Sequence, residues 1–208
     1  MYVFNRMTPN PMIISPKATA REALDLMHEK NFSNLPVVDK GEILGIIAKE
    51  DIISQYFCGE KGCNFLEDSL VEDLMTKNFV TVNKFDYIEK AIYLLKEKDI
   101  SAIPVLDGDR KLIGIITRTD IFDAFADTMG VDNEGTRIYI HIPDFVGQMA
   151  KIANIVKSRG ISIESISIFD SGLMKTKQLV MKVNTKDVDD MVDDLKNNGI
   201  DVRDVGIY

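Results

Sequence analysis

Residues 45–51 read GIIAKED and residues 114–120 read GIITRTD, nearly the same seven residues placed 69 positions apart. Each stretch ends in a carboxylate, Asp51 or Asp120, in the first turn of a helix that the pattern places after an apolar strand. Two kinds of chemistry suit an aspartate there. In one, Thr117 caps the opening turn and Asp120 sits where negative charge favours a helix N-terminus. In the other, the carboxylate accepts hydrogen bonds from both hydroxyls of a ribose, since charged acceptors give strong, directional contacts. The Thr117 hydroxyl would then bond a ribose or phosphate oxygen. Arg118 or Lys49, in the first helical turn, would add positive potential for phosphate beside the backbone N–H groups. Ala48 stands where Thr117 does and cannot cap through its side chain, yet Asp51 is kept. That retention favours a second task, although dipole placement also accounts for it.

These stretches close two copies of a longer unit. Residues 6–39 align with 74–107 at a constant shift of 68, Met7-Thr8 falling on Met75-Thr76 and Leu35-Pro36-Val37 on Ile103-Pro104-Val105. Each copy reads as a short strand (Met12–Ile14; Val80–Val82), a helix, two strands and a closing helix. The strand pairs are Leu35–Val38 with Leu44–Ala48, and Ile103–Leu106 with Leu112–Thr117. Asp39-Lys40-Gly41 and Asp107-Gly108-Asp109 form the turns between them. Ile88, Ala91, Ile92 and Leu95 mark the buried stripe of the second copy's first helix. The closing helices run from Lys49 to about Phe57 and from Arg118 to about Asp127. Ser69-Leu70-Val71-Glu72 has the pattern of a capping box opening a short helix. One βαββα copy leaves a sheet face bare, and two copies can cover each other.

Past a polar linker, Asp132-Asn133-Glu134-Gly135, the pattern changes. Arg137–Ile142 alternates as a strand, Met149, Ile152, Ala153 and Val156 mark a helix ended by Gly160, and a strand follows at Gln178–Val183. Val188, Met191, Val192 and Leu195 mark a second helix. SRGISIESISIF (158–169) and NNGIDVRDVGIY (197–208) match at a shift of 39. The order βαββαβ is ferredoxin-like.

Composition narrows the function classes. Residues 1–135 hold 15 Lys+Arg against 23 Asp+Glu, whereas residues 136–208 hold 10 of each. An acidic surface repels nucleic acid, so no nucleic-acid partner is expected. No apolar run reaches bilayer length and MYVFNRMTPNP lacks a signal-peptide layout, so no membrane association and a cytoplasmic location are expected. Cys58 and Cys63 are too few for a disulfide framework and read as free thiols. With only His28 and His141 elsewhere, no metal site is expected. No nucleophile–base pair, zinc-protease helix, dinucleotide fingerprint or phosphate-binding P-loop is present, and no catalytic residue is assigned.

The unit, with x-h-P-V-h-D ahead of G-h-h-T-x-x-D, resembles the cystathionine-β-synthase (CBS) domain, over about residues 5–129. Two in tandem resemble a Bateman module. The segment P-D-F-V-G-Q-M-A-K-I followed by RGISIESI resembles the ACT domain, with Asp144, Gly147 and Gln148 on its effector loop and Phe145 and Val146 where Arg and Pro are usual. The order CBS–CBS–ACT resembles the acetoin-utilisation AcuB-type proteins. The implied fold is α/β (α+β), with CBS repeats at 1–66 and 67–132 and a ferredoxin-like ACT domain at 136–208.

The CBS resemblance implies crossed sites for an adenosine-containing ligand, with apolar strand residues making a slot for adenine. One would join Ile115, Thr117 and Asp120 to Thr8, Met12, Phe32, Ser33 and Asn34. The other would join Ile46 and Asp51 to Thr76, Val80, Ile100, Ser101 and Ala102, and is expected to be weaker because it lacks the threonine. Singly, Phe32, Ile46, Ile100 and Ile115 also read as core residues. The implied protein is a non-catalytic homodimeric regulator that needs no cofactor. It would sense AMP, ADP, ATP, S-adenosylmethionine or NAD and relay this through the ACT domain or a regulated protein partner, with acetoin or carbon-storage metabolism as the setting. A small nucleotide-using enzyme and a ligand-free structural adaptor stand as alternatives.

Overall fold

The computed structural model describes residues 1–58, 64–143, 146–170, 172 and 176–207, of which Cys58 is described for its backbone alone. It divides into two units, Met1–Phe122 and Asp123–Tyr208.

In the first unit the two copies build matching sheets. The second copy contributes β4 (Val82–Asn83), α5 (Ile88–Glu97), β5 (Ala102–Leu106), β6 (Leu112–Thr117) and α6 (Arg118–Thr128), the helix that runs on into the second unit. A two-residue strand of the first copy, β1 (Thr8–Pro9), completes its sheet in the order β1-β6-β5-β4. The first copy contributes α1 (Ala20–Lys30), β2 (Asn34–Asp39), β3 (Glu42–Ala48) and α2 (Lys49–Cys58). Its flanking positions are single bridges, Ile14 parallel to Val37 and Thr76 antiparallel to Ile46. The strands expected at Met12–Ile14 and Val80–Val82 therefore shrink to Ile14 alone and to Val82–Asn83. Met12, 42% exposed, has no sheet face to bury.

The leading glycine of each repeated stretch has a steric reason. A Cβ on Gly114 would lie 2.5 Å from Met7 Sδ and 3.1 Å from Thr8 O. On Gly45 it would lie 2.8 Å from both Met75 Sδ and Thr76 O. The Met-Thr segment of each copy thus crosses over the glycine of the other. In the first hairpin, Lys40 and Gly41 both take positive φ (49° and 86°), the two-residue turn that suits twisted strands. In the second, the Asp107 carboxylate accepts from the N–H groups of Asp109 and Lys111.

Helix stripes follow the sequence with corrections. Ile88, Ala91 and Leu95 are buried, but Ile92 is 41% exposed on the outer flank of α5. A reciprocal capping box forms at Thr19 and Glu22, where Glu22 N–H donates to Thr19 Oγ1 and Thr19 N–H to Glu22 Oε2. The one expected at Ser69 does not form. Between α3 (Phe65–Asp68) and α4 (Val71–Leu74), Ser69 is extended and its carbonyl accepts from Ala20 N–H, so Leu70 takes the N-cap position. Glu72 pairs instead with Lys17 at 2.7 Å. The core of the first copy gathers Met27, Leu35, Val37, Ile47 and Ile52.

The second unit runs β7 (Thr136–Pro143), α7 (Gln148–Ser158), β8 (Ile163–Asp170), β9 (Thr176–Val183), α8 (Asp189–Asn197) and β10 (Asp201–Ile207). Its antiparallel sheet has the order β10-β7-β9-β8. Ile138, Ile140 and Ile142 alternate inward against Ile152, Val156, Met191, Val192 and Leu195. Ala153, expected in that stripe, is exposed, and Ile155 packs against the core instead. On the opposite face, Lys182 is 2% exposed, and its ammonium donates to Gly130 O at 2.6 Å and to Asn133 O. Ser165 Oγ donates to Met129 O at 2.9 Å. These bonds satisfy carbonyls just beyond the C-terminus of α6, where a cation is favoured.

Candidate functional site

The crossings are main-chain pairings. Thr8 lies opposite Ile115, and Thr76 exchanges two hydrogen bonds with Ile46, at 2.8 and 3.1 Å. Where the two copies meet, the Ser101 hydroxyl donates to Asn34 Oδ1 at 2.9 Å.

A cleft of about 570 Å³ opens beside Asp51. Ile46, Ala48, Glu50 and Asp51 form one wall, from the end of β3 and the first turn of α2. Thr76, Asn78, Phe79 and Val80 come from the crossing segment of the other copy. Lys98 to Ala102, between α5 and β5, form the third side, and Asn34 and Arg118 complete it. All seven residues of the second expected set are therefore brought together. Glu50, Asn78, Phe79, Lys98 and Asp99 were missed. Asn78 and Phe79 continue the crossing segment just after Thr76, and that continuity was the available signal; Lys98 and Asp99 arrive only through the fold.

The other expected set is arranged differently. Ile115 is buried behind Thr8, while Met12, Phe32 and Ser33 are exposed. Asn34 lines the Asp51 cleft, where its Oδ1 accepts from the Ser101 hydroxyl. Thr117 and Asp120 are bonded to each other. Asp120 Oδ2 accepts from both the N–H and the hydroxyl of Thr117 at 2.7 Å, and Asp120 N–H donates back to Thr117 Oγ1 at 3.2 Å. Arg118, expected beside them, lines the Asp51 cleft, because its Nη2 donates to Asp99 at 2.6 Å and its Nε to Ile100 O at 2.9 Å. Lys49 is exposed and does not line that cleft.

Asp51 has a leaner environment than Asp120. Its Oδ2 accepts from Ala48 N–H at 3.2 Å, the capping contact that remains when the threonine is absent. Burial pushes its carboxyl above the ordinary aspartate value; the Ala48 N–H works against this and neighbouring Glu50 adds to it. A half-buried carboxylate with a free oxygen edge, facing hydroxyls and amides across a cleft, can receive a pair of ligand hydroxyls.

In the second unit, Gly147 is the N-cap of α7 with φ 96°, and Gln148 is the first helical residue. Asp144 and Phe145, like Cys63, lie outside the described residues. No helix among the described residues is long and apolar enough to cross a membrane.

A homoserine O-acetyltransferase of Methanohalobium evestigatum is 36% identical over 121 residues, which are 58% of this chain and 23% of that protein. The chain spans 23% and 34% of the length of the first curated relatives that it matches. Among solved structures, the CBS domain pair of protein MJ0100, in complex with 5′-methylthioadenosine and S-adenosyl-L-methionine, is 25% identical with a TM-score of 0.54. The match covers 61% of this chain and 96% of that one. CBSX2, a CBS-pair protein of Arabidopsis thaliana, solved in complex with AMP, is 32% identical with a TM-score of 0.52, over 60% of this chain and 95% of that one. A Vibrio cholerae protein described as an acetoin utilization protein (AcuB) shares the fold, at 20% identity and a TM-score of 0.55, over 64% of this chain and 95% of that one. The TTHA0829-like ACT domain matches residues 134–206. The CBS domain matches residues 3–57 and 71–127, and the chain belongs to the CBS-domain family, with an ACT domain following its tandem pair.

Proposed function

We propose that this chain is a non-catalytic regulatory protein that senses an adenosyl ligand in the cleft beside Asp51. The observation that carries the reading is the crossed cleft itself. A half-buried carboxylate on one copy faces Thr76, Asn78 and Ser101 of the other, so a ligand held there ties the two copies together. Bound AMP and S-adenosylmethionine in CBS pairs of similar fold support an adenosyl ligand. A ligand that binds one arrangement of the copies better than another shifts their balance by its differential affinity. Helix α6 starts within the first unit, and the carbonyls just beyond its end are held by Lys182 in the second, so α6 is a continuous element along which such a shift is relayed to the ACT domain. The protein acts in the cytoplasm as a homodimer; exposed apolar side chains on its helices, among them Tyr56, Phe57 and Ile92, support self-association.

Thermal shift over AMP, ADP, ATP, S-adenosylmethionine and NAD tests this. A ligand at a hundred times its Kd adds about 2.7 kcal/mol of apparent stability. A rise in Tm that disappears in Asp51→Ala is expected. No rise with any adenosyl compound would overturn the reading.

A further inference from the structure

The cleft beside Asp51 carries little that would hold a phosphate. Its charged lining residues are Glu50, Asp51 and Asp99 against Lys98 and Arg118, an excess of carboxylates. The Arg118 guanidinium is already engaged, with Nη2 on the Asp99 carboxylate at 2.6 Å and Nε on Ile100 O at 2.9 Å. A guanidinium bracketed by its own carboxylate offers a weaker field to a second anion. Lys98, exposed at the C-terminus of α5, stands where a helix presents carbonyl groups rather than N–H groups.

Helix N-termini ordinarily supply phosphate sites through unpartnered backbone N–H groups. Here two donors at the start of α2 have partners: Ala48 N–H lies on Asp51, and Lys49 N–H on Ser33 O at 2.9 Å. Arg118 N–H, at the start of α6, lies on Ser101 O at 3.1 Å. The cation in the first turn of α2, Lys49, does not line the cleft, whereas the next residue, Glu50, does. The cleft offers three carboxylates beside side chains that both donate and accept, Asn34, Thr76, Asn78 and Ser101, with Asn34 Oδ1 already taking the Ser101 hydroxyl. Phe79 adds an aromatic ring. Such a lining suits hydroxyl and amino groups and tolerates a positive centre, which an aromatic face also attracts.

We propose that the Asp51 cleft prefers an adenosyl compound without phosphate, neutral or cationic on the 5′ side of its ribose, over AMP, ADP and ATP. This rests on the reading above that the cleft takes an adenosyl ligand. The carboxylates that line the cleft repel an added phosphate, so affinity falls as phosphates are added.

Titration calorimetry on the full chain with 5′-methylthioadenosine, S-adenosylmethionine, AMP and ATP decides it. AMP is expected to bind at least about tenfold more weakly than 5′-methylthioadenosine, and ATP more weakly again. Added salt screens repulsion, so the AMP affinity should rise with ionic strength, whereas an attractive phosphate site would lose affinity. Glu50→Gln should narrow the gap between AMP and 5′-methylthioadenosine. Nucleotides binding as tightly as the phosphate-free compounds, or a gap unmoved by Glu50→Gln and by salt, would overturn the preference and leave the adenosyl reading intact. If none of the four compounds binds, both fall.

Discussion

The two strand-to-helix junctions of the repeat are identical at four of seven residues, with Lys49 matching Arg118 in charge, and differ in what they leave free. At residues 114–120 the motif closes on itself: the Thr117 N–H and hydroxyl converge on one oxygen of Asp120, and the threonine oxygen accepts in return. At residues 45–51 there is one capping bond, from Ala48 N–H, and the carboxylate stands at the wall of a cleft. An alanine in place of threonine removes a partner and a side chain together. The same motif thus forms a reciprocal cap in one copy, while in the other one capping bond holds the carboxylate at the cleft wall.

The largest test exchanges those roles. Asp51→Ala should weaken adenosyl-ligand binding by about 1.5–3 kcal/mol, through loss of charge-assisted hydrogen bonds, with little change in unliganded stability. Asp120→Ala should lower stability by about 0.5–2 kcal/mol, since it breaks a reciprocal cap. Calorimetry and urea denaturation on both variants separate the two effects. Equal loss of affinity in both would mean that the closed junction also holds ligand.

The crossing glycines give a second contrast. Gly45→Ala places a Cβ against the Thr76 carbonyl, which is main chain paired to β3, and against Met75 Sδ. Gly114→Ala meets chiefly the flexible Met7 side chain, with Thr8 O farther away. Overpacking of this kind costs about 1–3 kcal/mol, and Gly45→Ala should lie at the upper end. It should also reduce ligand affinity, because Thr76 and Ile46 line the cleft. A stable Gly45→Ala protein with unchanged affinity would show that the crossing is loose.

These contrasts mark what the sequence could and could not disclose. The repeat, its helices and its hairpins follow from periodicity, which is local and strong. The crossing segments at Thr8 and Thr76 are not announced as strands because they pair over one or two positions, and their register is set by glycines some 31 or 106 residues away along the chain. That Arg118 lines the Asp51 cleft was hidden for a similar reason: its direction is decided by Asp99 and the Ile100 carbonyl, which no helical pattern announces. Lys182 gave no signal at all, since a lysine on an alternating strand ordinarily faces water, whereas here it reaches carbonyls beyond α6.

A pH series sharpens the difference at Asp51. Burial raises its pKa in the folded protein, so the folded state binds the proton more tightly than the unfolded chain. Stability should consequently fall as pH climbs from the ordinary aspartate value, about 3.9, through the raised folded value. Asp51→Asn keeps an acceptor for Ala48 N–H and removes the titration, so this part of the slope should vanish in urea melts. Ligand affinity should show the opposite trend in the wild-type chain, rising as Asp51 ionises. A slope unchanged by the substitution would place the titrating group elsewhere.

The smallest expected effect comes from making the junctions alike. Ala48→Thr supplies the hydroxyl that Thr117 provides in the other copy, so it should complete the box with Asp51 and the first turn of α2. A missing cap is worth about 0.5–2 kcal/mol, and since Ala48 N–H already holds Asp51, the gain should lie at the lower end. In the closed junction the threonine occupies a single oxygen of Asp120, Oδ2, through both its N–H and its hydroxyl. The new hydroxyl should likewise take the oxygen that Ala48 N–H already uses and leave the other facing the cleft. A higher Tm with unchanged affinity is the expected result, read by thermal unfolding and calorimetry on the same preparation. If affinity falls as Tm rises, the hydroxyl competes with ligand for the carboxylate, and the alanine is what keeps this cleft open to it.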